Sequence, residues 1–213
     1  MELTPPVEHG SEPATGWRAW RLHRTEAGLR IAPTTPRPDW EPGVAPAATC
    51  SGAHTRMYVF FNPELEPTHR SPEPGCTCGY YAANGPARLA RAGRTAGVIG
   101  TVSMWGRVIE HAKGWRARHM YPARLRLICP RCLWLGRFPG VPDRVVTDRD
   151  RLLPSCSDHA RTAHGAILDV GAVQAELLDA YRVDQLPVEA LDVDVGTADP
   201  ITRVLRVLDL WSR

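Results

Sequence analysis

The 213-residue sequence predicts an α+β fold, with a β-rich N-terminal body followed by a helical C-terminal segment. The first observation is that apolar and polar side chains alternate along residues 98–111, as they do in a strand buried on one face. The second is that apolar side chains after Asp169 recur at every third or fourth position, which is helical spacing. Strands are therefore expected first and helices last.

The first predicted element is a β-hairpin over residues 16–33. Apolar side chains alternate there, with Trp20 and Leu22 on one face, and Gly28 marks the turn. The pattern predicts two antiparallel strands joined by a short turn.

Three connecting segments follow. Prolines between the hairpin and Cys50 exclude a helix and favour an extended path. Residues 57–67 predict a short aromatic strand. Residues 85–93 predict a short helix, because Pro86 suits its first turn and a glycine closes it.

A second, longer hairpin is predicted between residues 98 and 129. One face of its first strand carries Val98, Val102, Met104 and Val108. Its partner is expected over residues 123–129, where leucines alternate with Arg124 and Arg126. Residues 112–122 are expected to form the end of the hairpin, with Gly114 at the turn.

Two helices are predicted in the last third of the chain. The first begins after Asp169, a good N-cap, and its apolar stripe carries Val170, Val173, Leu177 and Tyr181. The second begins at Pro200, after Asp199, and its stripe carries Ile201, Val204, Leu205, Leu208 and Trp211.

The composition of the sequence indicates in which cellular compartment the protein is expected. Lys113 is the single lysine among 26 basic residues, a skew that a GC-rich genome explains. No run of about 18 apolar residues occurs, and the acidic, proline-rich start lacks the pattern of a signal peptide. We therefore expect a cytoplasmic protein without membrane contact. Metal ligation is a more natural role than disulfides for its six cysteines in that reducing compartment.

The cysteines divide into two sets. Cys129 and Cys132 form a CxxC pair, and Cys156 and His159 form a CxxH pair after 23 intervening residues. This spacing is typical of closed structural zinc sites in ribbon and treble-clef folds. A redox CxxC is disfavoured because no helix is expected to begin behind Cys132.

The other set centres on the CxC pair Cys76 and Cys78, where flanking glycines permit a sharp bend. Cys50 and a histidine complete a Cys3His set. His69 is preferred because it shares the proline-stiffened loop with the pair, and His54 is the alternative. Six cysteines and two histidines thus make two sets with no open position, which predicts two structural zinc ions.

These interpretations divide the chain into four parts. Residues 1–15 are expected to be a flexible tail, and residues 16–128 a β-rich domain with the CxC zinc site. Residues 129–165 are expected to form a zinc-knuckle element, and residues 166–213 the helical C-terminal segment.

Three sequence blocks carry a resemblance. They are a W-x-P-G segment leading to a cysteine, an H…CxCG segment, and a W-G-x-V-x-E-H-x-x-G-x-R-A…Y-P segment. The matching residues are Trp40, Pro42, Gly43, Cys50, His69, Cys76, Cys78, Gly79, Trp105, Gly106, Val108, Glu110, His111, Gly114, Arg116, Ala117, Tyr121 and Pro122. In these blocks, over roughly residues 17–130, the chain resembles a family of uncharacterised proteins from actinobacteria and their phages. The resemblance implies a metal site at CxCG and no particular activity.

No residue set forms a recognisable catalytic centre, so a binding role is expected rather than an enzyme. The partner expected is another protein, which would make the chain a zinc-stabilised scaffold or adaptor. Nucleic-acid binding linked to transcription is the first alternative, and a metal-dependent hydrolase is the second. The candidate surface for a partner or nucleic acid comprises Trp115, Arg116, Arg118, Tyr121, Arg124 and Arg126.

Overall fold

The computed structural model describes residues 13–35, 38–50, 69–91, 95–135, 137–160 and 165–191. Several predictions concern residues outside these ranges: most of the flexible tail, the aromatic strand over 57–67, His54 and the helix from Pro200.

Nine strands and three α-helices make up the described part of the chain. The strands are β1 (Ala14–Thr25), β2 (Gly28–Pro33), β3 (Tyr80–Ala83), β4 (Val98–His111), β5 (Gly114–Leu127), β6 (Arg144–Asp148), β7 (Arg151–Ser155), β8 (Ile167–Leu168) and β9 (Asp184–Gln185). The helices are α1 (Pro130–Trp134), α2 (Ser157–Ala160) and α3 (Val170–Tyr181). Short 3₁₀ helices span Pro86–Arg91 and Val188–Leu191.

All nine strands belong to one sheet, with the order β3-β5-β4-β1-β7-β6-β8. β2 pairs with β1, and β9 pairs with β5 in the only parallel pairing recorded among the described strands. β3 pairs with β5 and also meets β1, where Trp17 lies opposite Ala83. The sheet therefore curls so that β1, β4, β5 and β3 form a closed ring.

The main core packs against one face of these strands and extends to side chains of β2, β6, β7 and α3. Alternation along β1, β4 and β5 turns one set of apolar side chains inward, as the sequence predicts. Its fully buried members include Trp20, Leu22, Val98, Val102, Met104, Met120, Leu125 and Leu127. A second cluster lies on the other side of the sheet, around Ile99, Ile128 and Leu133.

Helix α3 closes the gap left along β5. Asp169 caps the helix by accepting a hydrogen bond from the Ala172 amide, as predicted. The Gln174 side-chain oxygen accepts a hydrogen bond from the Leu127 amide of β5 at 2.7 Å. This bond satisfies a backbone N–H that no neighbouring strand accepts. The buried Tyr181 hydroxyl accepts from the Ile31 amide and donates to the Trp40 carbonyl, and burial raises the pKa of Tyr181 to about 12.

Both predicted hairpins are present, but the second differs in detail. The turn lies at residues 112–113 and β5 starts at Gly114, so residues 115–122 continue the strand and do not form a hairpin end. Two register shifts, one between Thr101 and Val102 and one between Trp105 and Val108, interrupt the pairing. These bulges break the simple alternation from which the strand ends were predicted.

The segment between residues 129 and 165, expected to be a separate zinc-knuckle element, adds β6 and β7 to the same sheet through the pairing of β7 with β1. Within the described ranges, no helix is both long and apolar enough to cross a bilayer.

Candidate metal centres

The first candidate metal centre brings together Cys50, His69, Cys76 and Cys78. Their four donor atoms all lie within 4.8 Å of one another. The Cys50 and Cys76 sulfurs are 3.8 Å apart, and His69 Nε2 lies 3.3 Å from the Cys78 sulfur. One ion placed among them can contact all four.

The second centre brings together Cys129, Cys132, Cys156 and His159, again with all donor atoms within 4.8 Å. The sulfurs of Cys132 and Cys156 are 3.7 Å apart. His159 Nδ1 lies 3.3 Å from the sulfurs of Cys129 and Cys156 and 3.5 Å from that of Cys132.

These spacings match a tetrahedral metal site. A zinc tetrahedron separates two sulfur ligands by about 3.8 Å and a sulfur from a nitrogen ligand by about 3.5 Å. A disulfide would bring two sulfurs to about 2.05 Å, and no disulfide joins any of the six cysteines. The donor sets therefore fit metal ions.

Two arginines hold the first centre against the sheet. The Arg116 guanidinium, from β5, donates to the carbonyls of Cys76 and Cys78, and Arg107 from β4 pairs with Glu73 at 2.5 Å. Gly79 has a φ of +115°, and a Cβ there would lie 3.0 Å from the Cβ of Pro72. A glycine is therefore needed where the CxC loop turns into β3.

Short helices position the second centre. Cys129 lies two residues after β5 and is the N-cap residue of α1, so Cys132 lies in the first turn of that helix. Cys156 immediately precedes α2, which carries His159. The prediction that no helix begins behind Cys132 is wrong, because Pro130 starts one. The proximity of Cys156 and His159 now favours metal ligation over redox chemistry.

The cysteine thiols within each cluster differ in pKa. A hydrogen bond with Cys132 lowers the pKa of Cys129 to about 4, and the same bond raises the pKa of Cys132. Burial raises the pKa of Cys76 to about 11. A divalent ion would stabilise all the thiolates together and release these protons.

The environment of Cys78 fits a metal-bound thiolate. Burial tends to raise its pKa, but the neighbouring Ser71 hydroxyl and His69 imidazole outweigh that effect and lower the pKa. The buried Ser71 hydroxyl finds no partner of ordinary hydrogen-bond geometry in the described structure. A thiolate at Cys78 would give it an acceptor.

Comparisons with protein-family models, curated proteins and solved structures find no match to this chain. The case for the two centres therefore rests on their geometry.

The side chains expected to form a partner surface are largely engaged within the chain. Trp115 packs against the main core, and Arg126 donates to the Leu186 carbonyl at 2.5 Å. The Tyr121 hydroxyl donates to the Tyr181 carbonyl at 3.1 Å and accepts from the Gly43 amide at 2.7 Å.

Of the remaining three, Arg116 holds the CxC loop, whereas Arg118 and Arg124 have no ion pair or side-chain hydrogen bond within the described ranges. Of the six residues of the expected partner surface, only Arg118 and Arg124 therefore have a charged side-chain group that is not bonded within the described ranges. Alternation alone could not reveal this, because the partners are carbonyls distant in sequence.

Proposed function

We propose that the protein is a non-catalytic binding scaffold held in shape by two structural zinc ions. The observation that carries the proposal is that each centre offers four protein donors. A tetrahedral zinc bound by four side chains has no position for water or substrate. The hydrolase alternative requires such an open position.

Zinc is the metal that this donor chemistry favours. Three thiolates and one imidazole form a soft set, whereas magnesium and calcium prefer carboxylate and carbonyl oxygens. A cytoplasmic location is part of the proposal, since a reducing compartment keeps six thiols available for metal.

The scaffold would act as an adaptor for another protein. Tyr81 and Trp105 are 43% and 37% exposed on β3 and β4. Aromatic side chains and arginines dominate the energetics of protein interfaces. A sheet fixed by metal loops presents such groups with little loss of conformational entropy on binding.

Nucleic-acid binding is a second candidate, favoured by the distribution of charge. The β4–β5 hairpin carries six basic residues and one acidic residue, Glu110. The stretch from Asp169 to Leu191 carries five acidic residues and only Arg182 as a base. The β4–β5 hairpin is thus clearly more basic than the C-terminal stretch, and such a basic surface suits a phosphate backbone.

Metal removal tests the structural role. We expect EDTA treatment to abolish the cooperative thermal transition and the near-ultraviolet circular dichroism, because ligation energy is folding energy in such sites. Added zinc should restore both signals, and magnesium, the control ion, should not. A metal-free chain with an unchanged melting curve would contradict the proposal.

A further inference from the structure

Trp105 presents an aromatic ring at the surface of β4. It is 37% exposed and stacks on His119 of β5, with ring centroids 5.8 Å apart and planes 12° from parallel. We name Trp105, His119 and the adjacent Arg118 the Trp105 platform. A large aromatic side chain held in one orientation yet open to solvent is a ready stacking surface.

A bulge in β4 builds this platform. Gly106 has a φ of +76°, and the register shifts between Trp105 and Val108. A Cβ at Gly106 would lie 3.2 Å from His119 Cδ2 and 3.4 Å from Arg118 Cβ. The missing side chain leaves room for His119 and Arg118 against Gly106, the residue that follows Trp105, and bulges commonly re-aim side chains at binding sites.

The platform also carries an uncompensated charge. Of the six basic side chains in the β4–β5 hairpin, Arg107, Arg116 and Arg126 bind groups of this chain. Arg118 has no ion pair or side-chain hydrogen bond among the described residues. A ligand that offers both a flat ring and an anion is therefore complementary to this surface.

We propose that the Trp105 platform binds single-stranded nucleic acid, with a base stacked on Trp105 and a neighbouring phosphate paired with Arg118. A nucleotide is the ligand that combines a π face with an anion at short range. A single strand is required, since the faces of bases within a duplex are already stacked. This inference rests on the second candidate function above.

The test is fluorescence anisotropy of a labelled oligothymidylate titrated with the zinc-loaded full chain, at low and moderate salt. We expect binding that weakens as salt rises. Trp105→Ala should weaken binding at least about fivefold, as the loss of base stacking does elsewhere. Arg118→Gln should reduce the slope of log affinity against log salt by about 0.7.

Arg151→Gln is the matched control. Arg151 is exposed on β7, and the substitution removes the same charge at a position far from the platform in the sequence. It should change affinity less than Arg118→Gln does. Equal effects of the two variants, or unchanged affinity in Trp105→Ala, would overturn the inference.

Zinc content and the melting curve, measured on the same samples, separate this inference from the structural role of the metal. Absence of oligonucleotide binding by a chain with two zinc ions and a cooperative melt would overturn the inference alone. The parent protein could also fail to bind the oligonucleotide while Trp105→Ala loses binding to a protein partner. That result would assign the platform to a protein interface and would overturn the nucleic-acid inference.

Discussion

Replacing Cys132 with serine is expected to remove one zinc ion per chain and to abolish stable folding of the region around α1, β6 and β7. Cys132 is 8% exposed, and its sulfur lies 3.7 Å from that of Cys156 and 3.5 Å from His159 Nδ1. Serine cannot supply the thiolate on which this soft site depends.

The expected effect is large because apparent zinc binding energies of structural sites reach about 10–16 kcal/mol. The whole free energy of unfolding of a domain is only about 5–15 kcal/mol. The measurement is zinc per chain by elemental analysis, together with thermal unfolding followed by circular dichroism.

Ser157→Ala is the control for this change. Ser157 is exposed and directly follows Cys156, but it supplies no ligand in the centre. It should keep both zinc ions and the parent melting curve. A Cys132→Ser chain with undiminished zinc and an unaltered melt would remove Cys132 from the metal site.

Replacing Gly114 with alanine is expected to destabilise the protein by about 3 kcal/mol or more. Gly114 starts β5 with a φ of +143°, and a Cβ there would lie 2.0 Å from the Ala82 carbonyl oxygen. The neighbour is backbone and cannot rotate away, so the pairing of β3 with β5 would have to separate. That pairing helps to close the ring of strands.

The measurement is urea unfolding of the zinc-loaded chain, and Gly85→Ala is its control. A Cβ at Gly85 has no neighbour within 4 Å, and Gly85 is not among the glycines with positive φ. The control should unfold close to the parent. Equal stability of Gly114→Ala and the parent would show that β3 does not need this close approach to β5.

The sequence carries the strand and ligand patterns because they depend on neighbours close in the chain. Side-chain alternation is a local property, and it located the strands that hold Trp20 and Met104. CxxC, CxxH and CxC spacings are local as well, and they contain six of the eight side chains that the structure brings together; Cys50 and His69 complete the first set from outside these motifs.

Three features could not be predicted from the sequence, either because a local signal is lacking or because the contact is distant in the chain. The β6–β7 hairpin was missed because its turn contains Arg149, at a φ of 57°, where a glycine or asparagine would have signalled it. The internal hydrogen bonds of Arg116 and Arg126, two residues of the expected partner surface, could not be predicted because their acceptors are carbonyls of distant segments. The bulge at Gly106, which presents Trp105, interrupts the single long strand that alternation predicts over residues 98–111.

The most direct test of the account is zinc content per chain, measured by elemental analysis on protein purified without chelator or histidine tag, with thiol titration before and after denaturation. Two centres made of six cysteines and two histidines predict two zinc ions, and six thiols that react only after unfolding. One zinc ion or none, or thiols that react freely in the native chain, would contradict it.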